Sequence, residues 1–518
     1  HTRIGVEWVK QGNFGEAKQL CEKSIRLVAK HGEAYLLLAG IYVADREYSQ
    51  ALDAYRKALS QDPNNRDAML YYGVTLAETG KVKPGIEQLE KLVKIKDNVD
   101  SNIDQSVAYY YLAKLQEQES NRKGAISSLH SALKKRPNFV KASLMLAEFY
   151  ITENMRGQAV KVLQDSFKES PQVEVAERLA NIFLEEEKYE QAVVYMESLV
   201  EEDPTNDNVR LKLGLVYWQL KWLDKANNIF SELYHKFPNS DDIIYYNAEL
   251  QLELRHTGDA LKFFTLIHPE YSRFEQAVAR VSMIYREQKE WNTNEEYIAA
   301  ALKKRPDIVS FYPLLSSLYE DQKKLSEAVA ILEKGNKQFP NEENILYYLG
   351  FLYDKVGEKE KAVAKMESLL AHNPGNANAL NFVGYSVLEQ GRDLAKAEDY
   401  LTRAYKLKPA DPFILDSYGW MLFKKGKTKE GMKYLEQAHS KNKSEAIIAE
   451  HLADIYNALN MQNKALAVYQ RSLGLGMEAQ DRARVELKSE STKHAISDVQ
   501  QASLQATKKR KPASIQAE

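Results

Sequence analysis

Residues 32–63 read GEAYLLLAGIYVADREYSQALDAYRKALSQDP, and their spacing decides the fold. With Gly32 as position 1, Tyr35, Leu38, Ala39 and Tyr42 fall at positions 4, 7, 8 and 11. Steps of 3, 1 and 3 mark one face of a helix with 3.6 residues per turn. Ala51, Tyr55 and Ala58, at positions 20, 24 and 27, do the same for a second helix, and Pro63 at position 32 stops it. Small residues at positions 8 and 20 let the two helices approach closely where a larger side chain would clash.

The pattern recurs at about 34 residues, punctuated by Pro137, Pro171, Pro204, Pro238, Pro306, Pro340, Pro374 and Pro409. Units begin near residues 32, 66, 106, 140, 173, 207, 241, 275, 309, 343, 377, 412 and 446, after a truncated unit. The unit at 207 carries Leu213, Gly214, Tyr217, Ala226, Phe230 and Pro238 at matching positions; the unit at 343 carries Leu349, Gly350, Tyr353, Ala362, Met366 and Pro374. This resembles the tetratricopeptide repeat (TPR) family over about residues 1–479. A single hairpin cannot bury its apolar face alone, so neighbours must stack. The expected fold is all-α, a right-handed superhelical TPR solenoid of about 13–14 helix-turn-helix repeats. Mid-helix Gly419 and Gly431, at positions 8 and 20, each cost roughly 1 kcal/mol of helix propensity relative to alanine. Close packing is expected to offset that cost.

Breaks in register suggest N-terminal units over 1–99, middle units over 106–269, C-terminal units over 275–479, and a capping helix with a flexible polar tail over 480–518. The breaks are the insertion DSNIDQ (100–105) and the short second helix ended by His268-Pro269. Both read equally as hinges or as loop variation. Pro313 is a third candidate, for a local kink inside a first helix.

Composition narrows the function. Lysine plus arginine number 71 against 73 acidic residues, without the basic excess of a general nucleic-acid binder. No apolar run is long enough for a transmembrane span. The one cysteine, Cys21, excludes an internal disulfide framework and a cysteine-only zinc site. At position 24 of the truncated unit, it reads as a small buried residue.

A second stripe runs along the first helices. In a stacked TPR array, positions 2, 5, 9 and 12 face the concave channel. Here they place Leu211, Leu215 and Trp218; Tyr245; Tyr347 and Phe351; Asn378, Asn381 and Tyr385; and Phe413, Trp420 and Phe423 on that line. Aromatics give large contact area at low rotamer entropy, and side-chain amides can bond a peptide backbone. These residues are the candidate site for an extended segment of a partner protein. Packing against the neighbouring repeat is the competing role for each.

The carboxylate clamp of TPR chaperone cofactors is absent: position 5 is never lysine, and Glu177 stands there in the unit with Asn181 at position 9. GKTK (426–429) resembles the end of a phosphate-binding loop, but Met421 occupies the site of its first glycine and helices flank it. His256 and His268 lack metal-ligand spacing, and His451 reads as partly exposed. KKRK (508–511) reads as a solvated charge run. No catalytic residue, metal site or cofactor is expected.

ANALNFVGYSVLEQGRDLAKAEDYL and DPFILDSYGW, within residues 377–465, resemble more closely a group of bacterial envelope TPR lipoproteins. That group includes an adaptor of a periplasmic carboxyl-terminal processing protease. The resemblance implies a periplasmic, outer-membrane-anchored adaptor that delivers substrates, with a signal peptide and lipid anchor upstream of His1. The alternatives are a self-assembling protein whose channel holds its own tail or a second copy, and a regulatory subunit of one enzyme.

Overall fold

The computed structural model describes residues 12–27, 32–95, 103–391 and 393–509. These form 28 helices and no strand. The helices alternate as hairpins, such as Gly32–Ala44 with Tyr48–Gln61 and Pro412–Lys424 with Thr428–Lys441. The chain divides into two compact units, one ending at His256 and one beginning at Thr257. The division falls within the repeat at 241, between helices Asp241–Glu253 and Thr257–Leu266. That second helix is indeed short, 10 residues against the usual 14.

One backbone feature closes every hairpin. The residue at position 15 has positive φ throughout: Arg46, Ser120, Asn154, Glu187, Lys221, Arg255, Lys289, Lys323 and Asn460, and Gly80, Gly357, Gly391 and Gly426. Around Lys221, its N–H donates to the Trp218 carbonyl and the Trp222 N–H donates to the Tyr217 carbonyl. This is the Schellman arrangement, which satisfies carbonyls left open at a helix end. Trp222 is also the N-cap of the next helix, Leu223–Lys236. One left-handed residue thus ends one helix and aims the next back along it. In the repeat at 377, an extra residue follows Gly391, and Asp393 caps the second helix by accepting from the Lys396 N–H at 2.9 Å.

Within each unit the packing follows the small residues. Ala147 and Ala159 in the first unit are fully buried, as are Ala453 and Ala465 in the second. Two repeats carry glycine at both positions. A Cβ on Gly431 would lie 2.6 Å from the Gly419 carbonyl oxygen, and one on Gly85 would lie 2.6 Å from that of Gly73. Backbone, not side chain, fills this space. The propensity cost of the glycines is therefore the condition for that approach.

Adjacent repeats are tied by tyrosines at position 11. In the first unit Tyr217 donates to Glu197 of the preceding repeat at 2.5 Å. In the second, Tyr353 donates to Glu333, and Tyr456 donates to Glu436 at 2.8 Å. Burial and the carboxylate partner together push these phenols up, so each stays a neutral donor.

Three expectations meet the structure differently. Pro313 sits in the first turn of Phe311–Asp321, because that helix begins later than its counterparts; there its missing N–H interrupts no helical bond. Part of the insertion, residues 100–102, lies outside the described residues, while Ile103 is buried and Asp104 caps helix Gln105–Gln118. At the C-terminus one helix runs from Ala479 to Lys509, further than the expected capping segment. No proline or glycine interrupts it before Pro512. Residues 510–518, including the end of KKRK, lie outside the described residues. Cys21 is fully buried, as its position implied.

The 479 helix is held by charge. Arg484 and Lys488 reach Glu450, whose side chain is only 4% exposed, at 2.7 and 2.8 Å, and Lys488 also reaches Asp454 at 2.6 Å. Val485 is buried beside them. Burial alone would raise the Glu450 carboxyl; bonds from Arg484 and Lys488 outweigh it and hold the group below its ordinary range.

Gly431→Ala is expected to lower the thermal unfolding midpoint. The helix-propensity gain of about 1 kcal/mol is outweighed by overpacking against backbone, which costs about 1–3 kcal/mol. Gly157, on helix Arg156–Glu169, has no atom within 4 Å of an added Cβ, so Gly157→Ala is expected to leave the midpoint unchanged or raise it. Circular dichroism melts of both variants check the pair.

Candidate functional site

Four successive first helices of the second unit, Glu343–Lys355, Ala377–Gln390, Pro412–Lys424 and Ala446–Ala458, line one cleft of about 610 Å³. Tyr347, Phe351 and Asp354 come from the first of these, at positions 5, 9 and 12. Asn378, Asn381 and Tyr385 come from the second, with Phe382 beside them. Phe413 and Ile414 come from the third, together with its cap Asp411, and Ile447 from the fourth. The stripe read from the sequence converges here in Tyr347, Phe351, Asn378, Asn381, Tyr385 and Phe413.

The cleft is open and largely apolar. Phe351 and Phe413 are each 47% exposed, an unusual state for phenylalanine on a well-packed helix. Asp411 orders the entrance to helix Pro412–Lys424 by accepting from the N–H groups of Phe413 and Ile414 at 2.9 and 3.1 Å. The Asn378 side-chain Oδ1 accepts from Lys408 Nζ at 3.2 Å. Asn381 Oδ1 is buried without a hydrogen-bond partner, which carries an energetic cost. Burial pushes up the Tyr385 phenol, as does proximity to Glu389 and Asp416; the Tyr347 phenol is raised by burial and by Tyr348 and Asp411. Both present neutral hydroxyls.

Trp420 lies elsewhere than the stripe implies. It is 6% exposed. Its indole N–H donates to Glu389 of the preceding repeat at 2.8 Å. Its ring stacks on His451 of the following repeat at 4.1 Å and 11°. Both flanking repeats supply a fitted partner, so packing claims the ring. Phe423, 5.1 Å from Trp420, is half-buried against the same core.

His451 is likewise buried, at 4%, rather than partly exposed. Its Nδ1 lies 3.0 Å from both oxygens of Asp416, which is 5% exposed and forms part of the cleft floor. Burial would lower the imidazole; the Asp416 carboxylate, with Asp454 and Glu450 further off, outweighs it and holds the group above its ordinary value. The signal was present in the sequence, since 35 residues separate Asp416 and His451 and set them side by side in adjacent repeats.

The other stripe residues belong to the first unit. Leu211, Leu215 and Trp218 are half-buried against its core. The Trp218 indole donates to Glu253, and its ring meets Phe230 edge-on at 6.2 Å. Tyr245 is 9% exposed and donates to Glu249 at 2.9 Å. Among the described residues no cluster of three histidine, cysteine or acidic side chains is placed to hold a metal ion. No described helix is long and apolar enough to cross a membrane.

Stacked helical hairpins with an open apolar cleft on their first helices define a repeat protein suited to serve as an interaction scaffold. The chain carries tetratricopeptide repeats: models of that family match residues 4–65, 42–108, 173–206 and 349–412. It is similar to the TPR repeat-containing protein YpiA of Bacillus subtilis, 24% identical over 256 residues, 48% of this chain and 58% of that protein. TPR repeat-containing protein PA4667 of Pseudomonas aeruginosa is 37% identical over 54 residues, 10% of this chain and 9% of that protein. The chain therefore spans less than two thirds of either relative's length. Among solved structures, the APC/C hetero-tetramer Cut9-Hcn1 matches 95% of this chain and 89% of its own at 15% identity, with a TM-score of 0.37.

The His451 pair sets a pH dependence. A group whose folded value is raised stabilises fully below its unfolded value, near 6.5, and that stabilisation is lost as pH rises through the folded value. The melting midpoint of the second unit is expected to fall across that upper range. His451→Gln is expected to lack this component, measured as midpoint against pH from 6 to 9.

Proposed function

We propose that the protein is a scaffold that holds an extended segment of a partner protein against the cleft at 343–447. The observation carrying this reading is the exposure of Phe351 and Phe413 across an apolar opening that Asn378 and Asn381 also line. Exposed aromatic surface of this kind marks interaction sites, and aromatic anchors dominate binding energy. The amides of Asn378 and Asn381 suit a peptide backbone. Of the earlier candidates, Tyr347 and Tyr385 act as walls. Trp420 and Phe423 hold the repeats in place, and Leu211, Leu215, Trp218 and Tyr245 support the first unit.

The sequence likeness of residues 377–465 to envelope TPR lipoproteins supports a finer version. In it the scaffold is a periplasmic adaptor, lipid-anchored upstream of His1, that presents bound proteins to a protease. Fractionation of cells expressing the natural chain tests the location: recovery with outer membranes agrees with it, and recovery in the cytosol removes it.

A photo-crosslinker at Asn378 tests the scaffold reading. Links to extended segments of other proteins are expected; links to this chain alone would favour self-assembly, and one stoichiometric enzyme would favour a regulatory subunit. The double variant Phe351→Ala, Phe413→Ala is expected to keep its helicity and lose those links. Trp420→Ala is expected instead to lower stability, by about 3–5 kcal/mol for a buried large aromatic.

A further inference from the structure

We infer that the segment taken by the cleft pairs a large apolar side chain with a lysine or arginine one or two residues away. This rests on the reading of the cleft as a peptide site. The charge of its lining carries the inference: three aspartates, Asp354, Asp411 and Asp416, and no lysine, arginine or histidine. Asp416 is already engaged by His451 behind the floor, and Asp411 spends one oxygen as a helix cap. Asp354 is exposed, one helical turn from Phe351. It stands where a ligand cation reaches a carboxylate while its neighbour lies on the phenylalanine rings.

The exposed rings strengthen the same preference. A guanidinium or ammonium is attracted to the face of an aromatic ring, more so as water is excluded. A carboxylate in the ligand would meet the ring faces and the aspartates with the wrong sign. Lys408 is held on the Asn378 side chain and lies outside the lining. The chain's own basic stretch at 508–511 shares this chemistry in part, but its nearest large apolar residues, Leu504 and Ile515, each lie four residues away. A partner segment with adjacent apolar and basic residues fits better.

The test uses the full chain and three fluorescein-labelled peptides, Gly-Ser-Leu-X-Phe-X-Gly-Ser, with X as arginine, glutamine or glutamate. Fluorescence anisotropy is expected to show the arginine peptide binding at least tenfold tighter than the glutamate peptide. Asp354→Asn is expected to reduce that ratio at least threefold. Phe351→Ala is expected to weaken all three. Equal binding of the three peptides, still weakened by Phe351→Ala, would overturn the cation preference and leave the peptide site standing. Binding by none, or binding indifferent to both Phe351→Ala and Phe413→Ala, would remove the site itself. Binding that appears only after deletion of residues 508–518 would make the chain's own tail the occupant and overturn the partner.

Discussion

The structure depends on one residue per repeat held at positive φ. At position 15 the backbone turns left-handed, the last carbonyls of one helix are satisfied, and the very next residue is commonly the N-cap of the following helix. Because the turn is so short, it leaves the second helix no freedom in where to begin. The small residues at positions 8 and 20 then meet, the hairpin closes, and the same apolar face is offered to the next repeat. Position 5, 9 and 12 side chains fall on a line as a by-product of that regularity. The cleft at 343–447 exists because four consecutive first helices keep it.

What the line carries is decided locally. Phe351 and Trp420 both occupy position 9. Phe351 stays open, whereas Trp420 is closed over by His451 and anchored to Glu389. The difference lies in the neighbours, not in the rings. A flat imidazole in the following repeat and a carboxylate in the preceding one turn a potential contact residue into a structural one. The aspartate that holds that imidazole also floors the cleft, so the opening is bounded below by a buried charge pair rather than by a soft apolar layer.

The hairpins, their pitch and their small contact residues were legible because each recurs at a constant interval, and coincidence is excluded by repetition. Gly419 and Gly431 could be assigned a packing role from spacing alone, and the 2.6 Å approach bears it out. The left-handed position was not legible. Arginine, lysine, glutamate, serine and asparagine occupy it alongside glycine, so no residue type announces it. The cleft was legible in part, through Phe351, Phe413 and the two asparagines. Which of its two roles Trp420 takes was not legible, because its burial depends on residues 31 positions away on either side. The Asp416–His451 pair is hidden for the same reason: neither residue looks unusual within its own repeat.

The left-handed position carries a consequence for how such a chain tolerates change. The side chains there are exposed, as Arg46, Glu187, Lys221 and Lys323 illustrate, and Lys221 makes only a surface ion pair with Glu253. The backbone excludes β-branched residues by sterics but is indifferent to charge. A row of surface sites, one per hairpin, can therefore drift between acidic, basic and neutral without touching the packed interior. The outer electrostatic character of the array is in this way uncoupled from the code that folds it.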